Sequence, residues 1–462
     1  MSEFRTRFAP SPTGFLHIGG VRTALVNYLF TLKSKINNPN SKFFIRIEDT
    51  DKNRSDEKYL KSIINGLKWL DINWDDKIYK QSENIELHKK VANELLINGG
   101  AFKCICSSEK LENKRKENIN KGKSVKRLCN TCEKDEKIQL LKNKFCIRLK
   151  IKENGSTKIK DEIQGDIEVS NDEIDNFILL RMDGTPTYML SVVVDDHYMK
   201  ISHIIRGDDH LNNAFRQYHI YKNLNWEIPK FAHIPLMHGE DGKKLSKRHG
   251  AVDIFEFKNK GYLKESILNY LCKLGILSTN DDFFNILKKI SFFDLKKIGK
   301  SPSRFDYKKL NSINSFYIEK SNNESLLKYL EKNFNLNIKD NYKFIEKIVN
   351  LYKSRSFTLE ELNTNVTLFI NQDKNHIKKS LTKENVEIIK KFYKFILRND
   401  SNADNNVTNM LNDFLKEYNI KFVNLAKPLR LILTGDLNGP SIGDIIDILG
   451  KKIVINKIDN IL

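Results

Sequence analysis

The chain has 462 residues, with 79 Lys and Arg against 59 Asp and Glu, a formal charge of +20. That length can bury more than one core and fits two to four domains, while no apolar run approaches the ~18–20 residues that span a bilayer. An N-terminus charged at Glu3, Arg5 and Arg7 lacks the apolar stretch of a secretory signal, so a cytoplasmic protein is expected. The cationic excess permits a polyanionic partner, although a chain rich in Lys, Asn and Ile offers a plain compositional reason for the same charge.

The first ninety residues alternate strand and helix. Thr6 to Ala9 reads as a strand, Val21 to Lys35 as a helix with apolar residues at Val21, Leu25, Val26, Leu29 and Leu32, Phe43 to Glu48 as a strand, and Ser55 to Leu70 as a helix. This alternation predicts a parallel α/β sheet, whose ligands gather outside the carboxyl ends of the strands, where His17 and Glu48 fall. From Leu87 to Tyr188 the pattern breaks into cysteines, a basic run from Lys110 to Arg127 and short strand-like pieces such as Phe145 to Lys152, as expected of an insertion. The α/β character returns with a strand at Ile201 to Arg206, a helix at Asn212 to Asn223 and a strand near Phe231 to Pro235. After His249 the chain turns helical, with Leu263, Ile267, Leu268, Leu271 and Leu274 on one face, and from Asn322 onward it is Lys/Asn-rich and mostly helical. The polar stretch Asn399 to Asn406 reads as a loop or a frayed helix end, and there is no internal repeat.

Two loops carry phosphate-handling chemistry. Pro10-Ser11-Pro12-Thr13-Gly14-Phe15-Leu16-His17-Ile18-Gly19-Gly20 lies between the first strand and the first helix, with glycines where a phosphate needs close backbone approach and the positive end of a helix dipole beyond. Lys243-Lys244-Leu245-Ser246-Lys247-Arg248-His249 supplies mobile cations past the middle of the chain. Each alone has a bland reading, a tight turn in the first case and a solvated face in the second.

Taken together and in this order, they are variants of the HIGH and KMSKS signatures, and the chain resembles a class I aminoacyl-tRNA synthetase. The strings Arg7-Phe8-Ala9-Pro10-Ser11-Pro12-Thr13-Gly14, Arg46-Ile47-Glu48-Asp49-Thr50-Asp51 and Gly242-Lys243-Lys244-Leu245-Ser246-Lys247-Arg248-His249-Gly250 resemble the bacterial-type glutamyl-tRNA synthetase family, through the ending Lys427-Pro428-Leu429-Arg430-Leu431-Ile432-Leu433-Thr434-Gly435. Gly20 stands where the general class has a second histidine. The resemblance implies a Rossmann-type parallel-sheet catalytic domain (1–87 and 189–238) split by an inserted acceptor-binding domain (88–188). A stem-contact helical domain carrying the KMSKS loop (239–322) and a helical anticodon-binding domain (323–462) would follow. It implies ATP with Mg²⁺, L-glutamate and tRNA(Glu) as partners, tRNA(Gln) as a second acceptor in some members, and a monomer.

By the same resemblance His17, Lys244 and Lys247 are catalytic, and Pro10, Ser11, Gly14, Gly19, Gly20, Ser246 and Arg248 join them around ATP. Free glutamate carries two carboxylates and an ammonium, so its pocket needs arginine forks and an acid. Arg7, Ala9, Ser11, Glu48, Tyr188 and Arg206 match that pocket; the alternative for Arg7 and Glu48 is a structural ion pair within the sheet. Asp195-Asp196-His197 and Asp208-Asp209-His210 are expected to form a supporting scaffold rather than a metal site. Arg355 lies near where the family reads the anticodon. A shortened paralogue would lack the region after Asn322, the glutaminyl enzyme carries a different first loop, and a non-catalytic tRNA-binding relative should have lost part of the ATP site.

Cys104-Ile105-Cys106 and Cys129-Asn130-Thr131-Cys132 form two close pairs suited to a structural Zn²⁺, although Cys-x-Cys is tighter than the usual spacing; the alternative is four free thiols. Cys146 and Cys272, with no partners nearby in sequence, read as core residues.

Overall fold

The computed structural model describes all residues except 1, 2, 52, 53, 130, 246–252, 340 and 400–406. The chain divides into two compact units, Met1–Glu256 with Leu268–Asp306, and Phe257–Ile267 with Tyr307–Leu462.

The first unit opens with β1 (Arg5–Phe8), α1 (Ile18–Asn37), β2 (Lys42–Ile47), α2 (Glu57–Trp69), β3 (Tyr79–Lys80) and α3 (Ile85–Ile97). The strands pair in parallel in the order β1-β2-β3. Alternation along β1 aims neighbouring side chains at opposite faces. Thr6 hydrogen-bonds the hydroxyl of Thr31 on α1 at 2.8 Å, while Arg7 points the other way.

The interrupting segment supplies β4 (Ala101–Cys104), α4 (Ser108–Asn120), the short α5 (Thr131–Lys134) and α6 (Glu136–Gln139), then β5 (Cys146–Leu149), β6 (Ser156–Asp161), β7 (Gly165–Ser170) and β8 (Ile178–Leu180). β4, β5 and β8 make a small antiparallel sheet. The β6–β7 hairpin joins the edge of the parallel sheet instead, in the order β7-β6-β10-β9. The later parallel elements are α7 (Tyr188–Tyr198), β9 (His203–Gly207), α8 (Leu211–Asn223) and β10 (Lys230–Ile234), with β11 (Met237–His238) after them. Ser202 N donates to Arg5 O at 3.0 Å, so β9 begins beside β1. β1 is therefore flanked by β2 on one side and β9 on the other. Here the strand order reverses, the kind of crevice where open α/β sheets bind ligands. Among the described residues, no helix is long and apolar enough to cross a membrane.

α9 (Ile254–Asn259) and α10 (Lys264–Lys273) follow, α10 with Ile267 and Leu271 buried as the apolar face predicts, then β12 (Ser303–Arg304), which pairs with β11. The second unit is helical: α11 (Tyr307–Lys320), α12 (Asn323–Phe334), α13 (Tyr342–Tyr352), α14 (Leu359–Ile370), α15 (Lys374–Ser380), α16 (Lys383–Arg398), α17 (Val407–Tyr418), α18 (Phe422–Thr434) and α19 (Ile442–Asp459). Their apolar faces share one core that includes Leu330, Ile348, Leu362, Phe392, Phe414, Leu429 and Ile445. Asn399 ends α16, and the rest of the expected loop lies outside the described residues.

Gly261 is the most closely packed of the described glycines in that unit. Its φ is +77°, and a Cβ built there would lie 2.4 Å from Leu359 Cβ and 2.7 Å from Leu359 N. Gly261→Ala is expected to destabilise the helical unit by about 2–5 kcal/mol, from left-handed strain plus overpacking against backbone. Denaturant melts of wild type and variant side by side check this.

Candidate active site

The first loop ends on His17, which caps α1 in extended geometry and accepts a hydrogen bond from Gly20 N through Nδ1 at 3.0 Å. That bond fixes the tautomer, because an Nδ1 that accepts leaves the ring proton on Nε2. The side chain reaches solvent. Even so, the surrounding protein mass and then Lys244 lower its proton affinity, against a smaller opposing effect of Asp209. His17 is thus a neutral Nε2–H donor at the positive end of a helix. Gly19 is what permits this, since a Cβ there would lie 3.0 Å from His17 Nδ1. Gly14 has open space around it, Ser11 is exposed, and Ala9 and Pro10 are half-buried, with Pro10 O accepting from Glu48 N at 3.0 Å.

The second loop comes to the same place. Leu245 N donates to Met237 O at 3.0 Å, and Lys244 Nζ reaches Asp209 Oδ2 at 3.0 Å beside His17. Ser246, Lys247 and Arg248, expected around ATP, lie outside the described residues.

Arg7, Glu48, Tyr188 and Arg206 converge at the reversal of strand order. Each of the other three contributes to the electrostatic environment of the Tyr188 hydroxyl. Arg7 and Glu48 do not form the ion pair that the sequence allows as an alternative. Arg7 instead forks onto Asp196 of α7, Nε to Oδ1 at 2.9 Å and Nη2 to Oδ2 at 3.2 Å, leaving Nη1 outside the pair. Arg46, fully buried on β2, meets Asp196 Oδ1 through Nη1 at 2.5 Å and Glu48 Oε1 through Nη2 at 3.5 Å. Burial alone would raise the Asp196 carboxyl, but Arg46 and Arg7 outweigh it and hold the group anionic. Glu48 shows the opposite balance, with burial pushing it up to about 7 in spite of Arg46 and Arg7.

Arg206 Nε donates to His233 Nε2 at 3.1 Å and Nη2 to His210 O at 3.2 Å, while Nη1 is buried without a protein partner. His233 Nδ1 meets Asp161 Oδ2 at 2.6 Å. Tyr188 OH lies 3.3 Å from His210 Nδ1. Asp195 binds His88 and Asn84, at 2.8 and 2.9 Å, His197 stacks on Trp226 and Asp209 pairs with Lys244, so these members of the two Asp/His strings are engaged in hydrogen bonds, ion pairs and ring contacts.

Arg46, Arg22, Asp161 and His233 received no role from sequence. Arg22 sits on the buried face of α1 and donates to Pro235 O at 2.6 Å and Leu274 O at 3.0 Å, tying the first loop's helix to the segments around β11. The available signal was a charge inside an apolar run, which Arg22 and Arg46 both show.

The cysteine pairs meet as well. Cys104 and Cys129 sulfurs are 3.1 Å apart, Cys106 lies 3.5 Å from both Cys129 and Cys132, and all four fall within 4.8 Å of one another. Tetrahedral zinc with Zn–S near 2.3 Å separates its sulfurs by about 3.8 Å, so the donor set and its spread suit that ion. Cys146 does have a neighbour. It faces Cys104 across β4 and β5, and its sulfur donates to Cys104 O at 3.3 Å, a contact made by strand pairing and invisible to local spacing. Cys272 is a buried core residue.

A crevice at a strand-order reversal, with a phosphate loop, a basic loop and paired arginines, is the arrangement of a class I tRNA synthetase. The family described as "tRNA synthetases class I (E and Q), catalytic domain" matches residues 3–312, and "Anticodon binding domain" matches residues 323–462. "Glutamate--tRNA ligase 2" of Rickettsia akari is 40% identical across 100% of both chains, and "Glutamate--tRNA ligase" of Pelagibacter ubique is 40% identical over 100% of this chain and 99% of its own. A crystal structure of a glutamate tRNA ligase from Elizabethkingia meningosepticum in complex with its amino acid superposes with a TM-score of 0.82 at 27% identity, covering 99% of each chain. The chain belongs to the glutamate--tRNA ligase family.

The expected role of Glu48 as the acid that receives the ammonium of glutamate carries a pH dependence. Only its anion can receive an ammonium, and a carboxyl titrating near 7 is mostly neutral at pH 6 and mostly charged at pH 8. The kcat/KM for glutamate is therefore expected to rise across that interval, and Glu48→Gln to lower it and flatten the profile.

Proposed function

We propose that the chain ligates L-glutamate to the 3′ end of tRNA(Glu) through a glutamyl-adenylate, using ATP, with the residues gathered between β1, β2 and β9 as its amino acid pocket. The observation that carries the reading is the orphaned Arg206 Nη1, buried beside Arg7 and Glu48 in a chain 40% identical over its whole length to glutamate--tRNA ligases. A buried guanidinium nitrogen with no acceptor costs about 1–3 kcal/mol, which a ligand carboxylate relieves. Arg7 Nη1 and Arg206 Nη1 take the two carboxylates, Glu48 takes the ammonium, and Tyr188, Ser11 and Ala9 complete the wall.

In the first step a carboxylate oxygen of glutamate bonds to the α-phosphorus of ATP as the bond to the bridging oxygen breaks and pyrophosphate leaves. His17 Nε2–H and the start of α1 meet the phosphate oxygens with fixed dipoles, and Lys244 adds charge as the leaving group becomes anionic. Pro10, Gly14, Gly19 and Gly20 shape the loop, and Ser246, Lys247 and Arg248 complete the second one. Mg²⁺, when bound, offsets charge on the triphosphate. In the second step a ribose hydroxyl of the terminal adenosine bonds to the activated carbonyl carbon and AMP departs. The division into domains at 87, 188, 238 and 322, a monomeric state and a cytoplasmic location belong to the same proposal.

RNA contact draws support from two cavities. One of about 270 Å³ in the first unit is lined by Arg115, Lys126, Arg127 and Arg148. The other, about 280 Å³ in the helical unit, is lined by Tyr352, Thr434, Glu361 and Asp436 around a single cation, Arg355, the proposed anticodon contact. Cys104, Cys106, Cys129 and Cys132 would hold a structural Zn²⁺ that fastens the segment after α4 to β4. Metal analysis of reduced, unchelated protein should find one zinc per chain, and none would leave the cysteines as free thiols.

Arg7→Ala and Arg206→Ala should each lose glutamate activation by at least about 100-fold, the loss of a charged, buried hydrogen-bonding partner being worth about 3 kcal/mol. Both should keep a native circular dichroism spectrum, Arg7→Ala with a lowered melting temperature because it also leaves Asp196 to Arg46 alone. Wild-type-like pyrophosphate exchange in either variant would exclude this pocket. Charging of tRNA(Glu) and tRNA(Gln) transcripts in parallel, at one fixed salt concentration, fixes the acceptor range.

A further inference from the structure

We infer that Asp161 and His233 are positioning residues for Arg206, a buried hydrogen-bonded chain through which the inserted β6–β7 hairpin sets the aim of the guanidinium at the ligand's carboxylate. This rests on reading Arg206 as a glutamate ligand. Asp161 closes β6, His233 lies on β10 and Arg206 on β9, so three adjacent strands each contribute one member. All three are buried, His233 completely.

The protons can be assigned by elimination. An arginine Nε–H only donates, so His233 Nε2, 3.1 Å away, must accept. The ring proton then sits on Nδ1 and is donated to Asp161 Oδ2 at 2.6 Å. Burial, which lowers the imidazole's proton affinity, agrees with this neutral form. Asp161 Oδ1 is in turn fixed by three backbone donors, Ile163 N at 2.9 Å, Gln164 N at 2.8 Å and His233 N at 3.2 Å. With Nε held by His233 and Nη2 by His210 O, Arg206 has a single orientation and presents Nη1, its one nitrogen without a protein partner. His233 therefore acts as an acceptor whose tautomer is imposed from the insertion.

Asp161→Asn isolates that function with almost no change of shape. Three backbone N–H groups hold the oxygen at the Oδ1 place, so the amide nitrogen takes the Oδ2 place and donates to His233 Nδ1. The ring proton must move to Nε2, where it confronts Arg206 Nε–H. The KM for glutamate is expected to rise about 10–100-fold, the value of one hydrogen bond to a charged group, with KM for ATP and tRNA unchanged. Added to Arg206→Lys, which lacks the Nε donor, Asp161→Asn should raise it no further.

Two substitutions at 233 serve even if Asp161→Asn does not fold. Glutamine can place its amide oxygen where Nε2 stood and should retain most of the glutamate affinity; asparagine reaches only the Nδ1 place and should lose it. The reverse order, or losses in both that follow thermal stability while KM for glutamate stays at the wild-type value, would overturn the inference. A wild-type protein that charges no tRNA with glutamate would instead refute the proposed function, an outcome separate from any ranking of variants.

Discussion

A carboxylate shut away from water has to be answered by charge, and Asp196 is answered twice. Arg7 from β1 forks onto it and Arg46 from β2 reaches it from the side, all three groups being buried. Removing one partner from such a cluster costs about 3–5 kcal/mol, because the others are left uncompensated in a low dielectric. Two strands and α7 are thereby held at the point where the strand order reverses. Three of the groups assigned to the amino acid hang from this knot: Arg7 directly, Glu48 through Arg46, and Tyr188 as the first residue of the helix that carries Asp196.

Charge around the crevice is graded by burial. His17, His210 and His233 all have lowered proton affinity, with desolvation the largest cause and a neighbouring Lys or Arg adding to it. Neutral imidazoles can orient cations without repelling them, which is how Arg206 keeps a histidine at hydrogen-bond distance. The positive potential is then left to Arg7, Arg206 and Lys244, groups suited to carboxylates and phosphates.

Much of this was legible in the chain, for identifiable reasons. The alternation from Thr6 to Leu70 reports a local period, and β1, α1, β2 and α2 appear within a few residues of the expected bounds. The two loops carry their chemistry in contiguous residues, and Lys244 lies near enough to His17 to lower its proton affinity. What was hidden depends on pairing across long separations. Arg7 chooses Asp196, 189 residues away, over Glu48. Cys146 gains its neighbour only when β5 folds onto β4. The β6–β7 hairpin reads as part of an insertion, yet joins the edge of the main sheet through β10, since an exposed strand edge is satisfied by whatever strand arrives. Arg46 and Arg22 announced themselves only as charges in apolar runs.

The contact between Lys244 and Asp209 has a kinetic side. Both side chains are largely open to water, 62% and 40% exposed, and such pairs are worth only about 0–1 kcal/mol. A pair that weak leaves the Lys244 ammonium able to exchange partners. In the proposed reaction a triphosphate, carrying several negative charges, would draw the ammonium from a single carboxylate, and the released aspartate would be rehydrated. Such a pair would cost little to break when nucleotide arrives and little to restore when pyrophosphate leaves.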